Sequence, residues 1–400
     1  MKTIVIAAGR SSRMNPLPDK NLLNFMGKPL LFHLLDNLKK NNLDDFIIVV
    51  NRDNRDEISR ELITHNISAT IAVQENLDDG MSGAVLAGLD VMTNEEPVLI
   101  HNAQDFVDGS IYDEIITVND DYDGAILAKK VETYFPGGYL KVDRDNTIVS
   151  IIEKPGAGNE PSDLVNIVAH FFKNSRDLHD ALLAADSSRD DVYEVALQAL
   201  FTDKNFLAVE YAGDWKAIKY PHHVLDMTAY LLSRQSDNSI ADSAIISPSA
   251  TLNGNGIIIA EGVKIFDNAC ISGPCFIGKH SIIGNNALVR ESVLGEHCEI
   301  GFSTEIARSF LSDNVSAHHA YIGDSVVGSQ VNFGAFSVTT NLRLDKKPIK
   351  IKVKDELIDT GKIKFGCIVG AGSQIGSGAK ILPGRTLPKN TLLAPNEVSG

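Results

Sequence analysis

The sequence predicts a two-domain α/β protein: a mainly parallel sheet flanked by helices, then a parallel β-helix. Three observations carry this. Its 400 residues exceed the length over which a single core keeps growing, so two domains are expected. Up to about residue 235, strand-like and helix-like runs alternate. Beyond that point helical spacing stops, and aliphatic residues return every six positions.

In the first part, "KTIVIAA" reads as a buried strand, and the leucines of "PLLFHLLDNLKKN" have helical spacing. "DDFIIVV" is again a strand, "RDEISRELITHN" a helix, "ISATIAVQ" a strand and "SGAVLAGLDVM" a helix. "PVLIHNAQD" closes the series as a strand that ends on an acid. Such alternation predicts a largely parallel sheet covered on both faces. Ligands of such sheets sit at the carboxyl ends of the strands, where "AAGRSSR" and "HNAQD" fall.

In the second part, Ile240, Ile246, Leu252 and Ile258 set the beat. One extra residue shifts the frame to Ile265, Ile271, Ile277, Ile283 and Val289; a deletion shifts it to Leu294, Ile300 and Ile306. Val327 and Phe333, then Val369, Ile375 and Ile381, resume it, and glycine often follows the aliphatic position. An inward aliphatic every six residues beside a small neighbour builds the flat side of a parallel β-helix. The domains are therefore placed at 1–235 and 236–400.

A hydrophobic content of 44% with 22% charged residues describes an ordinary globular protein. The formal net charge of −15 argues against a general nucleic-acid or membrane-surface binder. Cys270, Cys275, Cys298 and Cys367 form no CxxC pair and read as buried thiols. "MKTIVIAAG" is too short for a signal peptide, and no run reaches the ~18 apolar residues of a membrane span, so the cytoplasm is expected.

Gly9 allows a sharp turn that brings backbone N–H groups close to an anion. Arg13 adds a planar charged fork, and Lys20 a point charge one loop later. A plain solvated loop would use the same residue types; the position at a strand end favours the anion site. Asp105 suits magnesium, which takes one or two carboxylates plus substrate phosphates. Gln74 and Gly80 offer a polar edge and a close backbone approach for a base.

On "IAAGRSSRM", Lys20, "GKPLL" (27–31), Asp105, "IIEKP" and "LVNIVAHFF", the first part resembles the sugar-1-phosphate nucleotidylyltransferases over nearly all of residues 1–235. The resemblance implies a Rossmann-like nucleotidyltransferase domain in which the backbone of Ala7, Ala8 and Gly9, with Arg13 and Lys20, holds the triphosphate. It puts Gln74 and Gly80 at the base, Asp105 at Mg²⁺, and Gly138, Glu153 and Asn166 at the sugar. The chain departs from the family at Ser11 (for glycine), at Ala217 (for a second metal-binding acid) and at Val168 (for glycine).

In the second part, His318, His319, Tyr321, Asn332 and Asn341 crowd the interruption of the repeats. A histidine can take the proton from an amine that attacks a thioester, and Lys362 and Lys364 can grip a phosphate. "HHAYIGD" and its surroundings, from about Ile240 to Gly384, look like the acetyltransferase domain of the bifunctional glucosamine-1-phosphate N-acetyltransferase/N-acetylglucosamine-1-phosphate uridylyltransferases, in their shorter archaeal form. That resemblance implies a left-handed β-helix, a homotrimer and acetyl-CoA as co-substrate. It makes His318 the base and Tyr321 its partner. Asn332 and Lys364 become sugar-phosphate contacts, Arg290 a phosphate contact, and Asn341 a residue on the acetyl-CoA side. Here Ala307 replaces a phosphate-binding lysine and Phe336 a glycine.

The combined expectation is an enzyme that acetylates a hexosamine 1-phosphate and transfers a nucleotidyl group from UTP to the product, with no nucleic-acid or membrane partner. Two rival readings stand beside it. One is a monofunctional nucleotidylyltransferase whose β-helix only assembles it. The other is a regulatory scaffold with decayed sites, for which Ala217, Ala307 and Phe336 would be the marks.

Overall fold

In the computed structural model, which describes residues 1–400, the chain forms two units: Met1–Arg10 with Leu31–Trp215, and Ser11–Leu30 with Lys216–Gly400. The first holds a nine-stranded sheet of β1 (Lys2–Ile6), β2 (Phe46–Val50), β3 (Ala69–Val73), β4 (Val98–Asn102), β5 (Gly124–Lys130), β6 (Gly138–Val142), β7 (Ile148–Glu153), β8 (Leu164–Phe172) and β9 (Phe206–Glu210). β4, β1, β2 and β3 lie side by side in parallel, as the alternation predicts. Every residue of β2 is buried, as in a strand covered on both faces. Beyond β4 the direction reverses. β8 runs antiparallel to β4 on one edge and to β5 on the other, and the β6–β7 hairpin joins it where Tyr139 meets Val165. A bulge between Ile167 and His170 lets this one long strand serve three neighbours.

Helices α1 (Leu30–Lys40), α2 (Arg55–Thr64), α3 (Gly80–Asp90), α4 (Ile111–Ile116), α5 (Ser175–Ala184) and α6 (Val192–Asp203) accompany the sheet. α3, α5 and α6 bury Val85, Leu89, Leu178, Leu182 and Leu197 against Ile4, Val49, Ile100 and Ile126. Gly88 makes the close approach possible, because a Cβ there would lie 2.7 Å from the Ile4 side chain. The next residue of β4 after Ile100 points to the opposite face, where His101 Nε2 meets the Tyr112 hydroxyl of α4 at 3.0 Å.

The second unit contains three parallel sheets of eight short strands, stacked as a left-handed β-helix, and one helix, α7 (His223–Ser233). Successive coils align Ile240, Ile259, Ile277, Leu294, Leu311, Val327, Val369 and Leu387 on one side. The predicted ladder holds with one correction. Ile259, not Ile258, faces inward, because the extra residue falls in the Asn253–Gly256 turn and not after Ile258. The buried thiols Cys275, Cys298 and Cys367 fill the same core.

The first sheet is buried on its outer face as well. Phe276, Val293, Phe310, Val326 and Ile368 point away from the helix axis yet are covered. Phe25 of the Ser11–Leu30 segment lies 4.9 Å from Phe310 between ring centroids, and α7 packs against the same strand. Burying each such side chain contributes on the order of 1.5–3 kcal/mol. Between Thr339 and Cys367 the coil is interrupted by an arm containing an antiparallel hairpin, Lys350–Val353 with Glu356–Asp359. No helix is long and apolar enough to cross a membrane.

Candidate functional site

The carboxyl ends of β1 and β4 open on a cleft of about 360 Å³ whose walls include Ala8, Gly9, Gln74 and Gly80. The glycine turn is braced from behind: Asn54 donates to the Ala7 carbonyl (2.9 Å) and Asn51 to the Ala8 carbonyl (2.8 Å). The Ala7 N–H is committed to Val49 O, so Ala7 positions the turn while Ala8 and Gly9 line the cleft. Gln74 donates through Nε2 to the carbonyls of Asn76 (3.1 Å) and Gly80 (2.8 Å), which leaves Oε1 to read a ligand's donor.

At the far end the three expected sugar contacts converge. A Cβ on Gly138 would lie 3.1 Å from Asn166 Nδ2 and 3.3 Å from Glu153 Oε2, so a larger residue would press on both side chains. Asn166 Oδ1 is held by His170, which in turn meets the Tyr193 hydroxyl. Burial pushes His170 down to about 3, so its ring is neutral. Lys154 lies 2.7 Å from Glu153 Oε1. Glu194, on the first turn of α6, also lines the cleft, and burial together with the Glu153 charge pushes it up to about 7. His170, Tyr193 and Glu194 were not singled out in the sequence; a buried histidine and a glutamate on an apolar helix give no motif to read.

Asp105 is buried just beyond β4, and both its oxygens are engaged: Oδ2 accepts from Asn102 Nδ2 (2.8 Å) and Oδ1 from the Trp215 indole (3.0 Å). No three His, Cys, Asp or Glu side chains converge as a cage for a metal. Magnesium needs no such cage when substrate phosphates and water complete its shell, and one oriented carboxylate fits that use.

Arg13 and Lys20 belong to the segment that clusters with the second unit. Ser11, at φ 48°, donates to Asp19, and Asp19 accepts from the Asn21 N–H, which folds the loop on itself. Lys20 Nζ donates to the Ile218 carbonyl (3.3 Å), and the Arg13 guanidinium stands 6.0 Å from the Tyr220 ring centroid. His223 accepts from the Lys219 N–H (3.1 Å); burial pushes it down to about 4, and its neighbour His222 to about 3.

In the β-helix, one corner column reads Gly284, Gly301, His318, Gly334, Gly376. Side chains are excluded there because coils stack closely: a Cβ on Gly301 would lie 2.8 Å from Ala317 O, and one on Gly334 2.7 Å from Ser377 N. His318 interrupts this column and projects into solvent from a bend, not from a strand. The next residue, His319, at φ 46°, lies between Phe302 (6.0 Å) and Phe336 (4.8 Å), with its ring tilted to both. Asn332 lies on the same sheet, paired across from Ser316.

The adjacent sheet carries Arg290 and Tyr321. Arg290 is forked onto Glu305 (3.1 and 2.7 Å), whose register partner is Tyr321. Gly323 has no Cβ because the Tyr321 hydroxyl occupies that space, 2.5 Å from where it would be. Asn341 donates to the Tyr321 hydroxyl (3.0 Å) and to Asp324, and Arg308 grips Asp324 with two bonds of 2.7 and 2.8 Å. Arg308 is thus paired with Asp324, as Arg290 is with Glu305. Lys364 is exposed at the far root of the inserted arm, bridged to Leu342 and next to Asn341 across the arm's base.

Residues 2–231 match the family described as nucleotidyl transferase. Over 407 residues the chain is 29% identical to a bifunctional sugar-1-phosphate nucleotidylyltransferase/acetyltransferase from Sulfurisphaera tokodaii, spanning 100% of this chain and 97% of the relative. It is 27% identical over 397 residues to the bifunctional protein GlmU of Methanocaldococcus jannaschii, spanning 98% and 92%. A further match, 35% identical over 170 residues, is the uncharacterized acetyltransferase YaiX of Escherichia coli, of which 72% is covered.

Proposed function

Because the chain belongs to the nucleotidyl transferase family, we propose that it is a two-site enzyme of sugar-nucleotide synthesis, with nucleotidyl transfer assigned to residues 1–235 and acetyl transfer to 236–400. The observation that carries this is a full-length similarity to a bifunctional relative in a chain whose two parts each build a polar site of their own.

In the first reaction, an oxygen of the sugar 1-phosphate attacks the α-phosphorus of UTP, the bond to the bridging oxygen breaks, and pyrophosphate leaves. Ala8 and Gly9, with Arg13 and Lys20, hold the triphosphate; Gln74 and Gly80 face the base; Glu153 and Asn166 hold the sugar against Gly138. Asp105 would hold Mg²⁺ together with substrate phosphates, and the ion's contribution is to neutralise the charge gathering on them. In the second reaction, the amine of glucosamine 1-phosphate attacks the thioester carbon of acetyl-CoA. His318 takes the amine proton, and the thiol of coenzyme A leaves. Tyr321, steadied by Asn341, faces the reacting carbonyl; Arg290, Lys364 and Asn332 grip the sugar phosphate.

The β-helix assembles as a homotrimer, since identical flat sides close under threefold symmetry and the exposed Phe302, Phe336 and Leu392 are apolar surface for a second copy to cover. A monomer in sedimentation that retained full acetyl transfer would refute that assembly. Thiol release with acetyl-CoA and glucosamine 1-phosphate, then pyrophosphate release with UTP, tests the two activities. Release of pyrophosphate alone would reduce the β-helix to a structural part.

A further inference from the structure

Resting on the nucleotidyl-transfer reading of the cleft, we infer that Arg10 is a further ligand of the nucleoside triphosphate. Asp78 holds its guanidinium at the rim and gives it up when the phosphates enter. Among the residues lining the cleft, Arg10 and Lys154 carry a permanent positive charge. Lys154 lies at the sugar end, 2.7 Å from Glu153 Oε1. Arg10 directly follows Gly9, so it is the lining cation at the glycine turn, where the triphosphate is placed. Glu153, Asp190 and Glu194 line the same cleft, so a polyanion entering it has few cations to meet.

Arg10 donates through Nη2 to Asp78 Oδ1 at 2.7 Å. Asp78 belongs to the short loop between Gln74 and Gly80, where its N–H donates to Asn76 Oδ1 (3.1 Å) and Asn76 Nδ2 to Asp79 (2.7 Å). The ion pair therefore spans the rim, from the glycine turn to the loop that faces the base. Its side chains are 57% and 77% exposed, and an ion pair so exposed is worth no more than about fivefold in an equilibrium. A guanidinium fork on phosphate oxygens makes two charge-assisted bonds, each worth about 10-fold or more. The phosphates also repel the Asp78 carboxylate. Exchange of Asp78 for phosphate is thus favourable once a triphosphate comes within reach of the fork.

The test measures UTP binding by equilibrium dialysis, and KM for UTP in pyrophosphate release, in the wild type and three variants. Arg10→Met should weaken UTP binding by about 10- to 100-fold, the worth of a bond to a charged group, and raise KM for UTP alike. KM for the sugar 1-phosphate should stay within about threefold, because Lys154 and Glu153 are untouched. Arg10→Lys keeps the charge but not the fork and should fall between the two. Asp78→Asn should tighten UTP binding by about two- to fivefold, because the competing carboxylate is gone. These opposite signs separate an exchanged ligand from a structural ion pair, whose loss would act in one direction in both variants. Weaker binding in both, or unchanged binding in Arg10→Met, would overturn the inference while leaving the activity standing. UTP binding without pyrophosphate release from any sugar 1-phosphate would overturn the activity alone. A wild type that bound no nucleoside triphosphate would overturn both.

Discussion

His170 Nε2 lies 2.7 Å from Asn166 Oδ1, and the Nδ1 of the same ring lies 2.9 Å from the Tyr193 hydroxyl. Because burial keeps the imidazole neutral, Nε2–H is the donor to Asn166 and Nδ1 the acceptor from Tyr193. This fixes the Asn166 amide with Nδ2 toward Gly138, ready to donate to a sugar. His170→Ala should raise KM for the sugar 1-phosphate about 10-fold and leave kcat within about threefold, since a buried hydrogen bond is worth about 1–3 kcal/mol when broken. Tyr193→Phe should do less. A matching loss in kcat would show that Asn166 acts on the reacting phosphate and not on the sugar.

Stability should depend on pH with a definite sign. His170 and His222 stand near 3 and His223 near 4, all below the unfolded value of 6.5. The unfolded chain takes up protons below pH 6.5 that the folded chain refuses, so stability falls from there toward pH 4, by about 1.4 kcal/mol per pH unit for each such histidine. Glu194, raised from 4.5 to about 7, acts oppositely: its contribution is lost as pH rises from 4.5 to 7. Trp215, the single tryptophan, lies in the first unit and reports its unfolding. Urea midpoints followed by its fluorescence should lose one proton of slope between pH 4.5 and 6 in His170→Phe. An unchanged slope would mean that the ring is protonated in the fold.

Asp105→Asn should abolish pyrophosphate release and leave thiol release near the wild-type rate, because only the first reaction joins two polyanions. Trp215→Phe separates charge from orientation. It removes the indole donor to Asp105 Oδ1 but keeps the carboxylate, and should cost about 10-fold at saturating Mg²⁺. Parallel loss of both activities in a folded Asp105→Asn protein would contradict independent sites.

The β-helix was legible in the sequence because each coil repeats one rule, an inward aliphatic every sixth residue. The single slip, Ile258 for Ile259, arose because a turn can absorb an extra residue without leaving a mark in composition. The expected sugar contacts also come together as written, since Gly138, Glu153 and Asn166 are fixed by backbone register. What the sequence hid is pairing across distance. Nothing local says that Arg308 is tied to Asp324, that Arg290 is tied to Glu305, or that β8 reverses the sheet. The two-sided burial of Phe310 was hidden for the same reason, because the covering Phe25 lies far away in the chain.

The Arg308–Asp324–Asn341–Tyr321 chain predicts a graded response in acetyl transfer. Arg308→Met should lower kcat for thiol release by about 10- to 100-fold by releasing Asp324, and with it Asn341 and Tyr321. Arg308→Lys keeps the charge but not the fork, and should fall between the two. That ordering, with pyrophosphate release intact, distinguishes positioning of Tyr321 from a general loss of structure. Equal kcat in all three proteins would detach the network from catalysis.

His318 stands alone in a column where the coils above and below carry glycine, so its imidazole meets no side chain from those positions and is open to substrate. His319 occupies the following left-handed position and is held between Phe302 and Phe336. As general base in the proposed reaction, His318 takes the amine proton. His318→Ala should reduce turnover by roughly 10²–10⁴-fold, the usual contribution of a positioned base. Nucleotidyl transfer to an already acetylated sugar phosphate should survive the change. His319→Ala removes one ring from an exposed aromatic cluster and should cost less than about 10-fold, because an aromatic pair is worth on the order of 1 kcal/mol. If His319 proved essential and His318 dispensable, the base would be the ring between the two phenylalanines, and the gap in the glycine column would need another purpose. If neither mattered, the β-helix would be a structural part and nucleotidyl transfer the sole activity.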